Sequence, residues 1–98
     1  MDERESLVIL YDFYSELLSD KQRNYFEDYY FNNLSLGEIS ENIGVSRNAV
    51  HKCIKRVESE LYNFEDKLNL YKKMKKINDI VDDIDDVNLR NKIKNILG

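Results

Sequence analysis

The stretch LGEISENIGVSRNAVHKC, Leu36–Cys53, decides the fold. Two helices that cross steeply through a tight turn need apolar residues facing their shared core, a small residue where the backbones approach, and a turn residue that tolerates positive φ. Ile39, Ile43, Val45, Val50 and Cys53 or Ile54 answer the first need, Ser40 the second and Gly44 the third. Glycine takes the left-handed conformation at a helix C-terminus without steric cost, so Gly44 marks the end of the first helix of the pair. Ser35 stands three residues before Glu38, the spacing of a capping box in which each side chain satisfies a free backbone N–H of the other's residue. Ser46 caps the helix that follows. Together these features predict a helix-turn-helix over about residues 36–56.

The second helix of that pair carries Ser46 and Arg47 at its start, then Asn48, His51 and Lys52, with Lys55 and Arg56 one turn further on. Arginine reaches guanine and asparagine pairs with adenine in the major groove, while lysines suit phosphates. No acid occurs between Glu41 and Glu58. This is the composition of a nucleic-acid-reading helix, and these seven residues are the expected contact face. Helical proteins also use the same motif as a packing unit that binds protein with that face, and the sequence leaves this alternative open.

Working outward, Leu7, Leu10, Tyr14 and Leu17 recur at three- and four-residue steps and predict a first helix. Ser19 and Gln22 repeat the capping-box spacing ahead of a second helix with Tyr25, Phe26, Tyr29 and Tyr30. Eight of the eleven aromatic residues lie between Tyr11 and Phe31, at helical spacing and among acids, which favours an aromatic core over a base-stacking platform. Asn32 and Asn33 break the pattern before the short third helix, about Leu36 to Asn42. Past Ser46, an apolar seam runs through Val50, Ile54, Val57, Leu61, Phe64 and Leu68, longer than a minimal reading helix needs. Leu70, Met74, Ile77, Val81 and Ile84 continue the same stepping until Asp85 and Asp86 offer a break and a new cap; Leu89, Ile93, Ile96 and Leu97 close the chain. The expected organisation is a helix-turn-helix domain over 1–70 and a C-terminal helical extension over 71–98. A seam this long needs a second surface, and a homodimer through helix four and the extension supplies one.

The formal net charge of −4 conceals an asymmetry. Residues 1–45 hold three basic and ten acidic groups, a net of −7; residues 46–76 hold nine basic and four acidic, a net of +5; residues 77–98 are at −2. A polyanion is attracted only by the middle of the chain. No apolar run approaches the roughly 20 residues that cross a bilayer, so membrane insertion is not expected. Asp2, Glu3 and Glu5 put acid where a secretory signal carries lysine or arginine, and the expected location is the cytoplasm. A single cysteine makes no internal disulfide, in keeping with a reducing compartment.

Catalytic chemistry finds no support. His51 and Cys53 are two positions apart on a helix, so they point about 200° away from each other. Asp82, Asp83, Asp85 and Asp86 lack the glycine and terminal glutamate of a calcium loop. Neither a phosphate-binding loop nor paired-cysteine zinc spacing is present. The expectation is a protein that is not an enzyme and carries no metal or cofactor.

Beside this reading stands a resemblance. Tyr11-Asp-Phe-Tyr14, Leu17-Leu18, Lys21-Gln-Arg23, Tyr25-Phe26, Leu34-Ser-Leu-Gly-Glu-Ile39 and Gly44-Val-Ser-Arg-Asn-Ala-Val50 are similar to the YlxM family of bacterial helix-turn-helix proteins, over about Leu7 to Leu70. The resemblance implies a fold of the sigma factor region 4 type, to which the periodicity adds an all-α architecture with a long fourth helix and a C-terminal helical extension. It also implies a regulatory or accessory role in the signal recognition particle pathway, beside the targeting GTPase and its small RNA. The family's motif carries over onto Leu36–Arg56, including the Ser46-Arg47 start. The partners to be expected are thus the particle's RNA or DNA, with the GTPase a further one; a DNA-binding transcription regulator and a protein-interaction module are the alternatives.

Overall fold

A computed structural model describes residues 2–98. The elements are α1 (Glu3–Tyr14), a 3₁₀ turn (Ser15–Leu17), α2 (Asp20–Tyr30), α3 (Leu36–Ile43), α4 (Arg47–Leu68), α5 (Leu70–Asp82) and α6 (Val87–Leu97), with no strand among the described residues. None of these helices is long and apolar enough to cross a membrane.

Local chemistry sets most of the boundaries. Asp2 caps α1 by accepting from the Glu5 N–H at 2.8 Å. Ser19 with Gln22, and Ser35 with Glu38, form complete capping boxes at the starts of α2 and α3. Gly44 closes α3 at φ 82°, ψ 31°, and Ser46 caps α4 by accepting from the Ala49 N–H at 3.1 Å. Ser40 sends its hydroxyl to the Val45 carbonyl, bracing the turn between α3 and α4.

The 22-residue α4 is the spine. Its N-terminal half, through Val50 and Ile54, packs with Tyr25 and Ile39 of α2 and α3. Its middle, through Val57 and Leu61, packs with Leu7, Leu10, Tyr14, Leu18 and Phe26. The aromatic residues build this second core: Phe26 stacks on Tyr11 at 4.3 Å and on Tyr30 at 4.4 Å between ring centroids. The phenols of Tyr11 and Tyr30 donate to Glu27 and Glu58, each at 2.5 Å, so polar tips reach the rim while the rings stay inside. Burial, reinforced by those carboxylates, pushes both phenols above their ordinary pKa and keeps them donors at neutral pH.

Four expectations need correction. Leu17 leaves the apolar face of the first helix, because the chain tightens into a 3₁₀ turn after Tyr14; Leu17 is exposed and Leu18, in extended conformation, is buried instead. Ile43 and Val45 do not enter the core shared by α3 and α4. Ile43 is the last residue of an eight-residue helix and Val45 follows the Gly44 turn, so both sit where the chain reverses and remain about two-fifths exposed beside Tyr25. The stepping from Leu68 to Leu70 is not continuous either: Asn69 takes the left-handed conformation at φ 54° and separates α4 from α5. Lastly, the α4 seam is covered within the chain as far as Phe64, and only its last turn, at Leu68, stays open.

The α4–α5 corner has a specific cause. Asn69 offers no side-chain cap, and Glu65 supplies one from the preceding helix. Its Oε1 accepts from the Tyr71 N–H at 3.1 Å and its Oε2 from the Lys72 N–H at 3.2 Å, placing a carboxylate at the positive end of the α5 dipole. Tyr14, fully buried on α1, donates to Glu65 Oε1 at 2.5 Å and accepts from the Leu70 N–H at 3.0 Å. Beyond the corner, α5 and α6 pair as a hairpin whose break at residues 83–86 is closed by Asp86, which accepts from the Leu89 N–H. Lys94 bridges back to Asp82 at 2.8 Å.

Tyr14→Phe removes both corner bonds and leaves the Leu70 N–H without its partner. We expect a loss of about 1–3 kcal/mol in urea-induced unfolding with an unchanged denaturant slope. A loss within error would show that the corner holds without the phenol.

Candidate nucleic-acid interface

The buried stripe of α4 fixes what its other side presents. At about 100° per residue, Val50, Ile54, Val57 and Leu61 share one face, so Asn48, Lys52, Lys55 and Arg56 lie opposite and Arg47, His51 and Glu58 lie along one flank. All of these except Glu58 are exposed. Ser46, exposed as well, is committed to capping the helix through its Oγ. Cys53 lies on the other flank, half-buried against the α2–α3 core, and burial raises its thiol pKa. His51 and Cys53 thus share no reacting centre.

The cations differ in how they are held. Lys55 Nζ lies 3.2 Å from Glu58 Oε1, and this hydrogen bond raises the ammonium's pKa, keeping it charged. Arg56 Nε lies 3.2 Å from Glu60, which also accepts from Gln22 Nε2 at 2.9 Å. Arg47 and Lys52 make no ion pair among the described residues. With Glu58 buried and Glu60 half-buried, the outward face of α4 from Arg47 to Arg56 is cationic, and the exposed carboxylate of Glu3 on α1 borders its flank at His51 and Lys55.

Gly37 has a role the sequence reading did not assign. Its Cα lies under the Arg47 guanidinium: a Cβ added there would stand 2.6 Å from Arg47 Nη2. The Arg47 guanidinium therefore rests against the first turn of α3, at the start of α4. The detectable signal was a glycine inside the first turn of a predicted helix, where propensity disfavours it and a close approach is the physical reason to keep it. Arg4 and Tyr29, which flank α4 from α1 and α2, were also missed, since nothing local in the sequence ties them to residues about 25 to 50 positions away.

Residues 1–97 match the family model UPF0122, described as "Putative helix-turn-helix protein, YlxM / p13 like". The chain belongs to this family. A UPF0122 protein of Fusobacterium nucleatum is 43% identical over 101 residues, covering 99% of this chain and 98% of the relative. UPF0122 proteins of Thermoanaerobacter sp. (strain X514) and of Oceanobacillus iheyensis are 51% and 53% identical, over 80% and 74% of this chain and 67% and 70% of their own lengths. The helix-turn-helix read from Leu36–Cys53 agrees with that family description.

Gly37→Ala separates positioning from folding in this UPF0122 chain. The new methyl meets only the end of a flexible side chain, and alanine is the better helix former by up to about 1 kcal/mol, so the melting temperature should hold or rise. Arg47 is displaced, and the nucleic-acid affinity proposed below should fall by about 1 kcal/mol, roughly fivefold. Unchanged affinity would mean that Arg47 needs no such contact.

Proposed function

We propose that the protein acts by binding nucleic acid through the exposed face of α4, Ser46, Arg47, Asn48, His51, Lys52, Lys55 and Arg56, and not by catalysis. The observation that carries this reading is the set of cations Arg47, Lys52, Lys55 and Arg56 exposed along α4, fixed outward by the buried stripe behind them. The acidic residues 1–45 repel a polyanion, which confines contact to residues 46–76, where the exposed Lys67, Lys72, Lys73, Lys75 and Lys76 add positive charge beyond this face. Within that reading, the resemblance to YlxM proteins supports a regulatory or accessory role in the signal recognition particle pathway, with the particle's RNA as ligand and the targeting GTPase as a further partner.

Titration against that RNA, duplex DNA and the GTPase tests it. Contact of four cations with phosphates gives a log affinity that falls with log salt at a slope of about −3 to −4. Lys52→Glu with Arg56→Glu should weaken binding at least about tenfold and flatten the slope by about 2, with an unchanged circular dichroism spectrum. Lys55 is left intact because its reversal sets two carboxylates together at buried Glu58. Preference for duplex DNA would assign a transcription regulator of the sigma region 4 type; binding to the GTPase alone would leave the helix-turn-helix a protein-interaction module.

A second assembly surface is favoured by a separate observation. Leu68, Leu70, Ile77, Ile80, Val87, Leu89 and Ile96 are exposed, most of them on the α5–α6 hairpin. We infer that a second copy covers them, joining the extensions and the end of α4 in a homodimer. Sedimentation should show a concentration-dependent dimer that Ile80→Asp returns to monomer. A monomer mass at all concentrations would dismiss the dimer without touching the nucleic-acid reading.

A further inference from the structure

One cleft of about 330 Å³ lies beside the outward face of α4, between the start of α1, the end of α2, the first residue of α3 and the α4 flank. Its size falls within the range of small-ligand sites, roughly 300–1,000 Å³. Three kinds of group meet there. Tyr29, Leu36 and Ile54 make apolar walls. Glu58, one-tenth exposed at its side chain, offers a carboxylate whose oxygens receive the Tyr30 hydroxyl at 2.5 Å and Lys55 Nζ at 3.2 Å and retain further lone pairs. The cations Arg4 and Lys55 and the imidazole of His51 line the same cleft, together with the acid Glu3.

The two tyrosines are not equivalent. One face of Tyr30 is stacked on Phe26 and the ring also carries the Arg4 guanidinium, 5.0 Å from its centroid. Tyr29 meets Tyr30 edge-on at 5.1 Å and 82°, and no ring among the described residues stacks on its face. Arg4 is fixed by bonds from Nη2 to the Tyr30 carbonyl at 2.6 Å and to Asn33 Oδ1 at 3.3 Å. A phosphate deep in this cleft would face Glu58 and Glu3 and be repelled. A planar heterocycle with an amino group suits it: apolar faces for the ring, a carboxylate for the N–H, and cations outside for its phosphates.

The geometry points to a pocket for one unpaired, amino-bearing nucleotide of the nucleic acid bound by α4, its base against Tyr29, its amine donating to Glu58 and its phosphates near His51, Lys55 and Arg4. This rests on the nucleic-acid reading of α4 and deepens it, since a fully paired duplex presents no such base whereas bulges and loops do. His51 and Lys55 belong to both surfaces, so the base would enter the cleft as its strand crosses the flank of the reading helix.

Fluorescence anisotropy on RNA and DNA duplexes, fully paired or carrying one bulged cytidine, tests the pocket. The bulged form should bind roughly tenfold tighter, and a bulged uridine, whose single ring N–H lies between two carbonyls, should bind less well than cytidine. Tyr29→Ala should abolish the preference while keeping the affinity for paired duplex. His51→Ala, at an exposed position, should narrow the preference without burdening the fold. Lys52→Glu should lower both affinities equally, and 2-aminopurine placed in the bulge should change its fluorescence on binding the wild-type protein but not Tyr29→Ala. Equal binding of bulged and paired forms, or a preference that survives both Tyr29→Ala and His51→Ala, would overturn the pocket alone. Absence of salt-dependent binding to every form would overturn it together with the α4 reading.

Discussion

One helix serves two cores, and the rest of the molecule follows from that constraint. The stripe Val50, Ile54, Val57 and Leu61 joins the α2–α3 cluster at one end to the α1–α2 cluster at the other. Because a helix repeats every 3.6 residues, burying that stripe along about three turns leaves the opposite face no freedom to rotate. The basic residues of α4 are displayed by the same packing that folds the protein. Each core on its own is small, and their shared spine makes them one structure.

Polar chemistry then works at the rims of this apolar frame. Three tyrosines, Tyr11, Tyr14 and Tyr30, each bury a ring and hand a hydroxyl to a glutamate. The glutamates differ in what they do next. Glu65 turns toward the amides at the start of α5 and directs the C-terminal hairpin, whereas Glu58 holds Lys55 in place on α4 and faces the adjoining cleft. Acidic residues in an acidic protein thereby organise a basic surface without cancelling it, since Glu58 is itself withdrawn from solvent.

Membership in UPF0122 agrees with what the turn chemistry implied. Ser35, Glu38, Gly44 and Ser46 act through bonds spanning three or four residues, so their meaning is legible in one dimension. The same locality explains where reading failed. Leu17 and Leu18 are adjacent and alike, and the choice between them depended on a 3₁₀ turn after Tyr14 that periodicity does not encode. Ile43 and Val45 satisfy the pattern of a motif core yet lie at a chain reversal, where helix length and not hydrophobicity decides burial.

The sequence by itself determined the helices, the caps at Ser19, Ser35, Ser46 and Asp86, the corner at Gly44 and the outward direction of the α4 cations, because each depends on neighbours within about one helical turn. Tertiary structure decided that α4 is covered by its own chain, that Asn69 turns the extension under the guidance of Tyr14 and Glu65, that Gly37 lies against Arg47, and that Arg4, Tyr29 and Glu58 line one cleft on the flank of α4. Apart from the Glu65 cap, which reaches six and seven residues ahead, those contacts join residues about 10 to 56 positions apart, and no local pattern records a distance that only packing brings to zero.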